Sequence, residues 1–133
     1  MHALIFANGD APHRSTVARW AADADLIIAA DGGTRHALSA GVLPHVVIGD
    51  LDSLDEADRA QLDRSNVRLI IYPAHKDDTD LELALRYALD QHATEIVVCS
   101  ALGGRWDQSL ANLMLLTWPE LAHVPTRIVD HRL

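Results

Sequence analysis

Short apolar runs alternate along this chain with longer polar or amphipathic segments. The runs have the length and composition of buried strands, at residues 3–7, 26–30, 46–48, 69–72, 95–100 and 127–129. Parallel strands need crossover connections of about a dozen residues, usually helices, and these crossovers are right-handed. The alternation therefore predicts an α/β fold of three layers, a Rossmann-like parallel sheet with helices on both faces.

The segments between the runs carry helix signals. Val17, Trp20 and Ala21 form an i, i+3, i+4 stripe, and Pro12 suits the first turn of that helix. Ser53 and Glu56 fit a capping box at the start of a helix over about 55–64. The apolar spacing predicts two more helices, one with the stripe Leu81, Ala84, Leu85, Ala88 and Leu89, and one with Leu110, Leu113 and Met114 that ends near Pro119.

Length and composition limit the class of protein. The 133 residues are typical of a single domain, and the net charge of −8 excludes the basic surface expected of a nucleic-acid-binding protein. No apolar stretch reaches about 18 residues and no signal peptide is evident, so we expect no membrane contact and a cytoplasmic location. Cys99, in an apolar run, is interpreted as a buried core residue, and most of the eight histidines and three tryptophans as surface and packing residues respectively.

Two aspartate clusters follow predicted strands. The first contains Asp50 and Asp52, and the second contains Asp77, Asp78 and Asp80. Mg²⁺ prefers oxygen ligands and is commonly shared between one or two carboxylates and substrate phosphates. Since ligands of open parallel sheets bind beyond the carboxyl ends of the strands, the clusters predict a phosphoryl-transfer site there. We interpret Asp78 as a capping or solvent-exposed residue and Asp80 as a metal ligand.

The other predicted strand ends carry turn and glycine motifs. These are Asn8-Gly9-Asp10, Asp31-Gly32-Gly33 and Gly103-Gly104-Arg105. Backbone amides of such loops bind phosphate, and the guanidinium of Arg105 suits a bidentate contact with phosphate oxygens. Lys76 fits equally well a phosphate contact or a surface ion pair with the neighbouring aspartates.

Taken in order, the motifs resemble a known family. The set consists of Asp31-Gly32-Gly33, Gly49-Asp50-Leu51-Asp52-Ser53, Lys76-Asp77-Asp78-Thr79-Asp80-Leu81-Glu82, and Gly103-Gly104-Arg105-Trp106-Asp107-Gln108 with Asn112. This set is similar to the catalytic domain of thiamine pyrophosphokinase, and the resemblance covers nearly the whole chain. It implies transfer of pyrophosphate from ATP to the hydroxyl of thiamine, with Mg²⁺, and a homodimer.

The resemblance also assigns roles to residues. It implies metal binding by Asp50, Asp52 and Asp80, with Asp77 close by, and substrate or phosphate contacts by Arg105 and Asp107. We expect the nucleotide to be bound by Asn8, Asp31, Gly32, Gly33, Lys76, Thr79, Gly103, Gly104, Arg105 and Gln108. Which aspartate acts as the general base is left open.

The chain differs from the family pattern in extent. Members continue into a smaller β-rich domain that helps to bind thiamine, whereas residues 1–133 cover only the catalytic domain. We therefore expect either a truncated or a natural short form, which binds ATP·Mg²⁺ but has little or no thiamine pyrophosphokinase activity on its own. Two alternatives stay open: a pyrophosphokinase for another heterocyclic alcohol, such as a hydroxymethylpterin, and a nucleotide-binding module without turnover.

Overall fold

Helices and strands alternate along the whole described chain. The computed structural model describes residues 1–49, 54–71, 79–103 and 106–130, without the side chains of residues 106–108 and 111. The strands are β1 (His2–Phe6), β2 (Leu26–Ala30), β3 (Val46–Gly49), β4 (Arg68–Ile71), β5 (Glu95–Cys99) and β6 (Thr126–Val129). The helices are α1 (Arg14–Asp23), α2 (Gly33–Ser39), α3 (Glu56–Arg64), α4 (Asp80–Asp90) and α5 (Trp106–Met114), and two short 3₁₀ turns follow at Leu115–Thr117 and Pro119–Leu121.

The strands form one parallel sheet in the order β4-β3-β2-β1-β5-β6. The chain builds outward from β1 to β4 and then crosses to the other side of β1 for β5 and β6. The direction of winding therefore reverses between β1 and β5. The predicted α/β fold with a parallel sheet is confirmed.

Helices cover both faces of the sheet. On one face, Leu4 and Phe6 pack with Val17 of α1, Ala37 of α2 and Leu62 of α3. On the other face, Ile5 and Ile28 belong to a core that also contains the inward side of α4 and residues of the 3₁₀ turns. Within the described residues, no helix combines the length and apolarity needed to cross a bilayer.

Two predicted helix starts were wrong. The helix at 55–64 exists, but its N-cap is Asp55, whose carboxylate accepts a hydrogen bond from the Asp58 amide at 2.8 Å. Glu56 is the first helical residue rather than the far member of a capping box, and Ser53 lies outside the described residues. Helix α1 begins at Arg14 with His13 as N-cap, so Pro12 precedes the helix instead of occupying its first turn.

Helix α5 differs from its prediction in the face that it buries. Leu110, Leu113 and Met114 are 60%, 43% and 61% exposed, whereas Ser109 and Asn112 are buried. The helix is rotated in this way because its polar side chains contact the loop after β5. The Asn112 side-chain amide donates to the Ala101 carbonyl at 2.8 Å.

Candidate functional site

The carboxyl ends of the parallel strands meet at one edge of the sheet, and the point where the winding reverses lies between β1 and β5. In open α/β sheets this is where ligands bind, because the diverging loops leave a crevice. The loops that form it here are residues 7–13 after β1 and residues 100–103 after β5.

The loop after β1 is tied to both of its neighbours. The Ala7 amide donates to the Cys99 carbonyl and the Asp10 amide to the Leu102 carbonyl, both at 2.9 Å, so pairing with the β5 side continues past the strand ends. On the other side, the His36 ring on α2 lies with Nε2 2.8 Å from the Gly9 carbonyl. Since a carbonyl only accepts, that ring nitrogen carries the proton.

Glycines allow the three loops to approach closely. A Cβ on Gly32, the N-cap of α2, would overlap the side-chain amide of Asn8. Gly103 has a φ of +95°, and a Cβ there would overlap the carboxylate of Asp10. Asn8 therefore lies against α2 and Asp10 against the loop after β5, which places one polar side chain on each side of the crevice.

Asp31 stands beside the end of β3. Its amide donates to the Ile48 carbonyl at 2.8 Å, and its φ of +46° turns the chain directly after β2. A Cβ on Gly49 would lie 3.3 Å from the Asp31 Cα, so these two strand ends are in contact. Gly49 immediately precedes Asp50, the first residue of the first predicted metal cluster.

Helix α4 runs back to the amino end of β5, so its first turn lies at the edge that carries the crevice. Thr79 caps it by accepting a hydrogen bond from the Glu82 amide at 3.2 Å, and Asp80 is its first residue. Asp80 and Glu82 both fall in the first turn, where the exposed amides and the helix dipole favour negative charge. A carboxylate at this position can accept hydrogen bonds or bind a cation.

The structure describes part of the predicted site. Asn8, Asp31, Gly32, Gly33, Thr79, Asp80 and Gly103 all lie at the carboxyl edge of the sheet. Asp107 and Gln108 belong to the first turn of α5, with side chains that are not described. The remaining predicted residues lie outside the described residues, namely Asp50, Asp52, Lys76, Asp77, Gly104 and Arg105. Among the described residues, no three His, Cys, Asp or Glu side chains come together as a metal site.

Three residues at the crevice were missed by the sequence reasoning. Asp10 was placed in a strand-end loop without a role of its own, and His36 was grouped with histidines of which most were interpreted as surface residues. His36 is partly buried and its ring contacts the Gly9 carbonyl. Ser100 is buried with a φ of +60° directly after β5. The position of Ser100 at a strand end was a usable signal, whereas the contact of His36 depends on how α2 packs against β1.

Cys99 is a core residue, as predicted. It is 4% exposed at the end of β5, and burial raises the pKa of its thiol from 9.0 to about 12. A thiol with that pKa is protonated at neutral pH, so it is a poor nucleophile.

Comparison with known proteins agrees with this arrangement. The family model for the catalytic domain of thiamin pyrophosphokinase matches residues 17–128. Thiamine pyrophosphokinase of Bacillus subtilis is 37% identical over 105 residues, which are 79% of this chain and 49% of that protein. Thiamin pyrophosphokinase 1 of Caenorhabditis elegans is 30% identical over 95 residues, 67% of this chain and 37% of that protein. The chain thus spans about half the length of the Bacillus relative.

Solved structures have the same fold. The crystal structure of the Bacillus subtilis thiamine pyrophosphokinase superposes with a TM-score of 0.83 and 30% identity, covering 98% of this chain and 61% of that one. A thiamin pyrophosphokinase family protein from Enterococcus faecalis gives a TM-score of 0.78 with 32% identity, over 98% of this chain and 62% of that one. The family model covers well over half of the sequence, and the chain belongs to the thiamin pyrophosphokinase catalytic-domain family.

Proposed function

We propose that this protein transfers pyrophosphate from ATP to the hydroxyl of thiamine, producing thiamine diphosphate and AMP. The match of the family model over residues 17–128 is the observation that carries this proposal. The geometry supports it, because the described family motifs converge on the carboxyl edge of the sheet around the crevice between β1 and β5. In this reaction the thiamine oxygen attacks the β-phosphorus, the bond to the α–β bridging oxygen breaks, and AMP leaves.

Mg²⁺ and ATP are the proposed cofactor and co-substrate. Asp50, Asp52 and Asp80 would hold the ion, with Asp77 close by, and the contact of Asp31 with Gly49 brings a further carboxylate to the same strand ends. A set of carboxylate oxygens is the donor type that Mg²⁺ requires. The bound ion would offset negative charge on the phosphate oxygens.

The residues of the chain would act mainly by positioning ATP and thiamine. The loops at Asn8, Gly32, Gly33 and Gly103 pack closely together. Hydrogen-bond donors fixed in such a site need no reorganisation during the reaction. Arg105 and Asp107, with Lys76, Gly104, Thr79 and Gln108, are proposed to contact phosphate or substrate. One of the aspartates would accept the proton of the thiamine hydroxyl.

The direct test incubates the protein with ATP, Mg²⁺ and thiamine and separates the products by chromatography. We expect little turnover by the 133-residue chain alone. Any turnover should give AMP and thiamine diphosphate in equal amounts, with no AMP without thiamine. Thiamine-independent binding of ATP with no AMP would instead identify a nucleotide-binding module. Formation of AMP with a hydroxymethylpterin but not with thiamine would identify the alternative acceptor.

The metal assignment has its own test. Asp50→Asn and Asp52→Asn should each abolish Mg²⁺-dependent transfer while circular dichroism and the unfolding midpoint stay unchanged, because a metal ligand at a strand end contributes little to the core. Asp90→Asn is the matched control, since Asp90 is exposed at the far end of α4. Full activity in either strand-end variant would remove that residue from the ligand set.

A homodimer in the cytoplasm is also part of the proposal. The exposed apolar side chains Leu110, Leu113 and Met114 on α5 support self-association, because an apolar stripe of this kind is stabilised by being covered. Sedimentation equilibrium measures the mass directly. A monomer at all concentrations would remove the dimer from the proposal.

A further inference from the structure

The peptide group that joins Gly9 to Asp10 is held at both of its polar atoms. Its carbonyl oxygen lies 2.8 Å from Nε2 of His36 on α2, and its N–H donates to the Leu102 carbonyl at 2.9 Å. The amide of Gly9 itself donates to the Ser100 carbonyl, which belongs to the same loop as Leu102. Helix α2 and the loop after β5 therefore hold this peptide from two directions, at the crevice between β1 and β5.

The packing of α2 explains why His36 reaches the Gly9 carbonyl. A Cβ on Gly33 would overlap the backbone carbonyl of Phe6, so the first turn of α2 lies directly against the end of β1. Residues three apart lie on the same face of a helix, so His36 faces the residues that follow Phe6. The position of the ring is therefore set by the packing of α2 and does not depend on the loop that it contacts.

The contact of His36 requires a donor and not a charge. A carbonyl only accepts, so Nε2 carries the proton, and a ring protonated on both nitrogens still donates from Nε2. His45 uses its ring in the opposite way, because its Nδ1 accepts from the Ile27 amide at 2.9 Å, at the amino ends of the strands. Any side chain that brings an N–H to the same place could therefore replace His36.

The orientation of the Gly9–Asp10 peptide sets the direction of two polar side chains at the crevice. Asn8 precedes the peptide and lies against Gly32, and Asp10 follows it and lies against Gly103. Glycine restricts its own backbone less than any other residue, so the restriction on Gly9 comes from its neighbours. Without it, a ligand that uses Asn8 would have to order the loop as it binds, and this cost lowers affinity.

We propose that His36 is a positioning residue that holds the loop after β1 in the orientation that binds ATP, through its hydrogen bond to the Gly9 carbonyl. It touches no substrate in this role and acts through the loop that carries Asn8. The inference rests on the proposed use of ATP. His36 belongs to none of the motifs on which the family resemblance is based.

Calorimetry with Mg²⁺·ATP measures the effect on binding. His36→Leu keeps a side chain of similar size without a donor, and His36→Gln keeps an N–H at the end of the side chain. We expect His36→Leu to bind ATP about two- to tenfold more weakly than the wild type, the effect of one lost hydrogen bond, and His36→Gln to bind within about twofold. His45→Leu is the matched control, because it removes a ring-to-backbone hydrogen bond at the opposite edge of the sheet and should leave ATP affinity unchanged.

Amide hydrogen exchange without ligand measures the order of the loop itself. The amides of Ala7 and Asp10 both donate to carbonyls on the β5 side at 2.9 Å, but only the Asp10 amide belongs to the peptide that His36 contacts. We expect faster exchange at Asp10 and unchanged exchange at Ala7 in His36→Leu, and slow exchange at both in His36→Gln. Equal acceleration at both amides would mean that the variant loosens the whole end of β1, which assigns His36 to stability alone and overturns the inference.

A spectroscopic measurement on the wild type does not depend on how the variants fold. The ¹⁵N signals of the neutral His36 ring should place the proton on Nε2. A proton on Nδ1 alone would leave the Gly9 carbonyl without this donor and would overturn the inference.

The binding outcomes separate the inference from the proposed function. If the wild type and His36→Leu bind ATP equally well, the inference fails and the proposed function stands. Equal losses in His36→Leu and His36→Gln would make the shape of the ring responsible instead of its donor, and an equal loss in His45→Leu would indicate a general loss of stability. Either result overturns the inference. A wild type that does not bind ATP would refute the proposed function, and the inference with it.

Discussion

Helices α4 and α5 carry similar apolar spacing in the sequence and bury it to opposite extents. In α4, Leu81, Ala84, Leu85 and Ala88 are all buried against the sheet. In α5, Leu110, Leu113 and Met114 point outward, and the buried side chains are Ser109 and Asn112. Periodicity thus predicts that a helix forms, but which of its faces is covered depends on the elements around it.

The largest expected difference in stability is between two leucine-to-alanine substitutions, one in α4 and one in α5. Leu85→Ala, at 1% exposure in α4, should destabilise the protein by about 2–5 kcal/mol because it loses buried apolar surface and leaves a cavity. Leu110→Ala, at 60% exposure in α5, should change the free energy of unfolding by less than about 0.5 kcal/mol. Urea denaturation at low protein concentration measures both. Equal losses would mean that the α5 stripe is covered within the monomer.

The polar anchor of α5 is the next test. Asn112→Ala should cost about 1–3 kcal/mol, since it removes the donor to the buried Ala101 carbonyl and leaves that acceptor unpaired. Leu116→Ala, on the 3₁₀ turn after α5 and 39% exposed, serves as the control and should cost less. If Leu116→Ala lowered the free energy of unfolding more than Asn112→Ala, apolar packing rather than the Asn112 hydrogen bond would hold α5 in place.

The buried core also predicts a pH dependence of the free energy of unfolding, through the thiol of Cys99. The unfolded Cys99 thiol ionises near its ordinary pKa of 9.0, whereas burial raises the folded pKa to about 12. The unfolded state therefore binds fewer protons between these values, and stability should fall as pH rises through that window, by about 1.4 kcal/mol per unit at most. This contribution is fully present below pH 9.

Urea denaturation of the wild type and Cys99→Ala across that pH range isolates the effect of the thiol, because the other groups titrate in both proteins. The difference in unfolding free energy between the two should shrink as pH rises. A constant difference would show that the thiol ionises alike in the folded and unfolded states.

The smallest effect on stability is expected from the exposed stripe. Replacing Leu110, Leu113 and Met114 together by Gln should leave the unfolding free energy within about 0.5 kcal/mol per site and reduce self-association measured by sedimentation. Leu43→Gln is the control, since Leu43 is 42% exposed in the loop between α2 and β3. Equal self-association of the triple variant and the wild type would exclude α5 as a contact surface.

The sequence was sufficient for a parallel sheet because each strand is a continuous apolar run followed by a helical segment long enough for a crossover. The order of the strands was not predicted. The sequence also placed Asp31, Thr79 and Asp80 at the binding edge, since parallel strands bring their carboxyl ends together. The N-cap of α3 was assigned to the wrong residue because Ser53 and Asp55 are both good caps and local pattern does not choose between them.

The sequence pattern did not predict contacts between helices, strands and loops that are distant along the chain. His36 contacts Gly9 because α2 packs beside the end of β1, and Asp10 lies over Gly103 because β5 is the neighbour of β1. The same holds for the outward face of α5, which follows from the fit of Asn112 to the loop after β5. None of these contacts has a signature within a window of neighbouring residues.

The central place of β1 has a consequence for synthesis of the protein. β1 pairs with β2 on one side and with β5 on the other, where His2 lies opposite Glu95. On the ribosome, β1 to β4 can emerge and associate while one edge of β1 still lacks its partner. The nascent chain must protect that open edge until β5 appears, and such non-local pairing slows folding and favours aggregation. Truncation or stalling before residue 95 would therefore leave a partial sheet with an unpaired edge that is prone to aggregate, rather than a smaller folded domain.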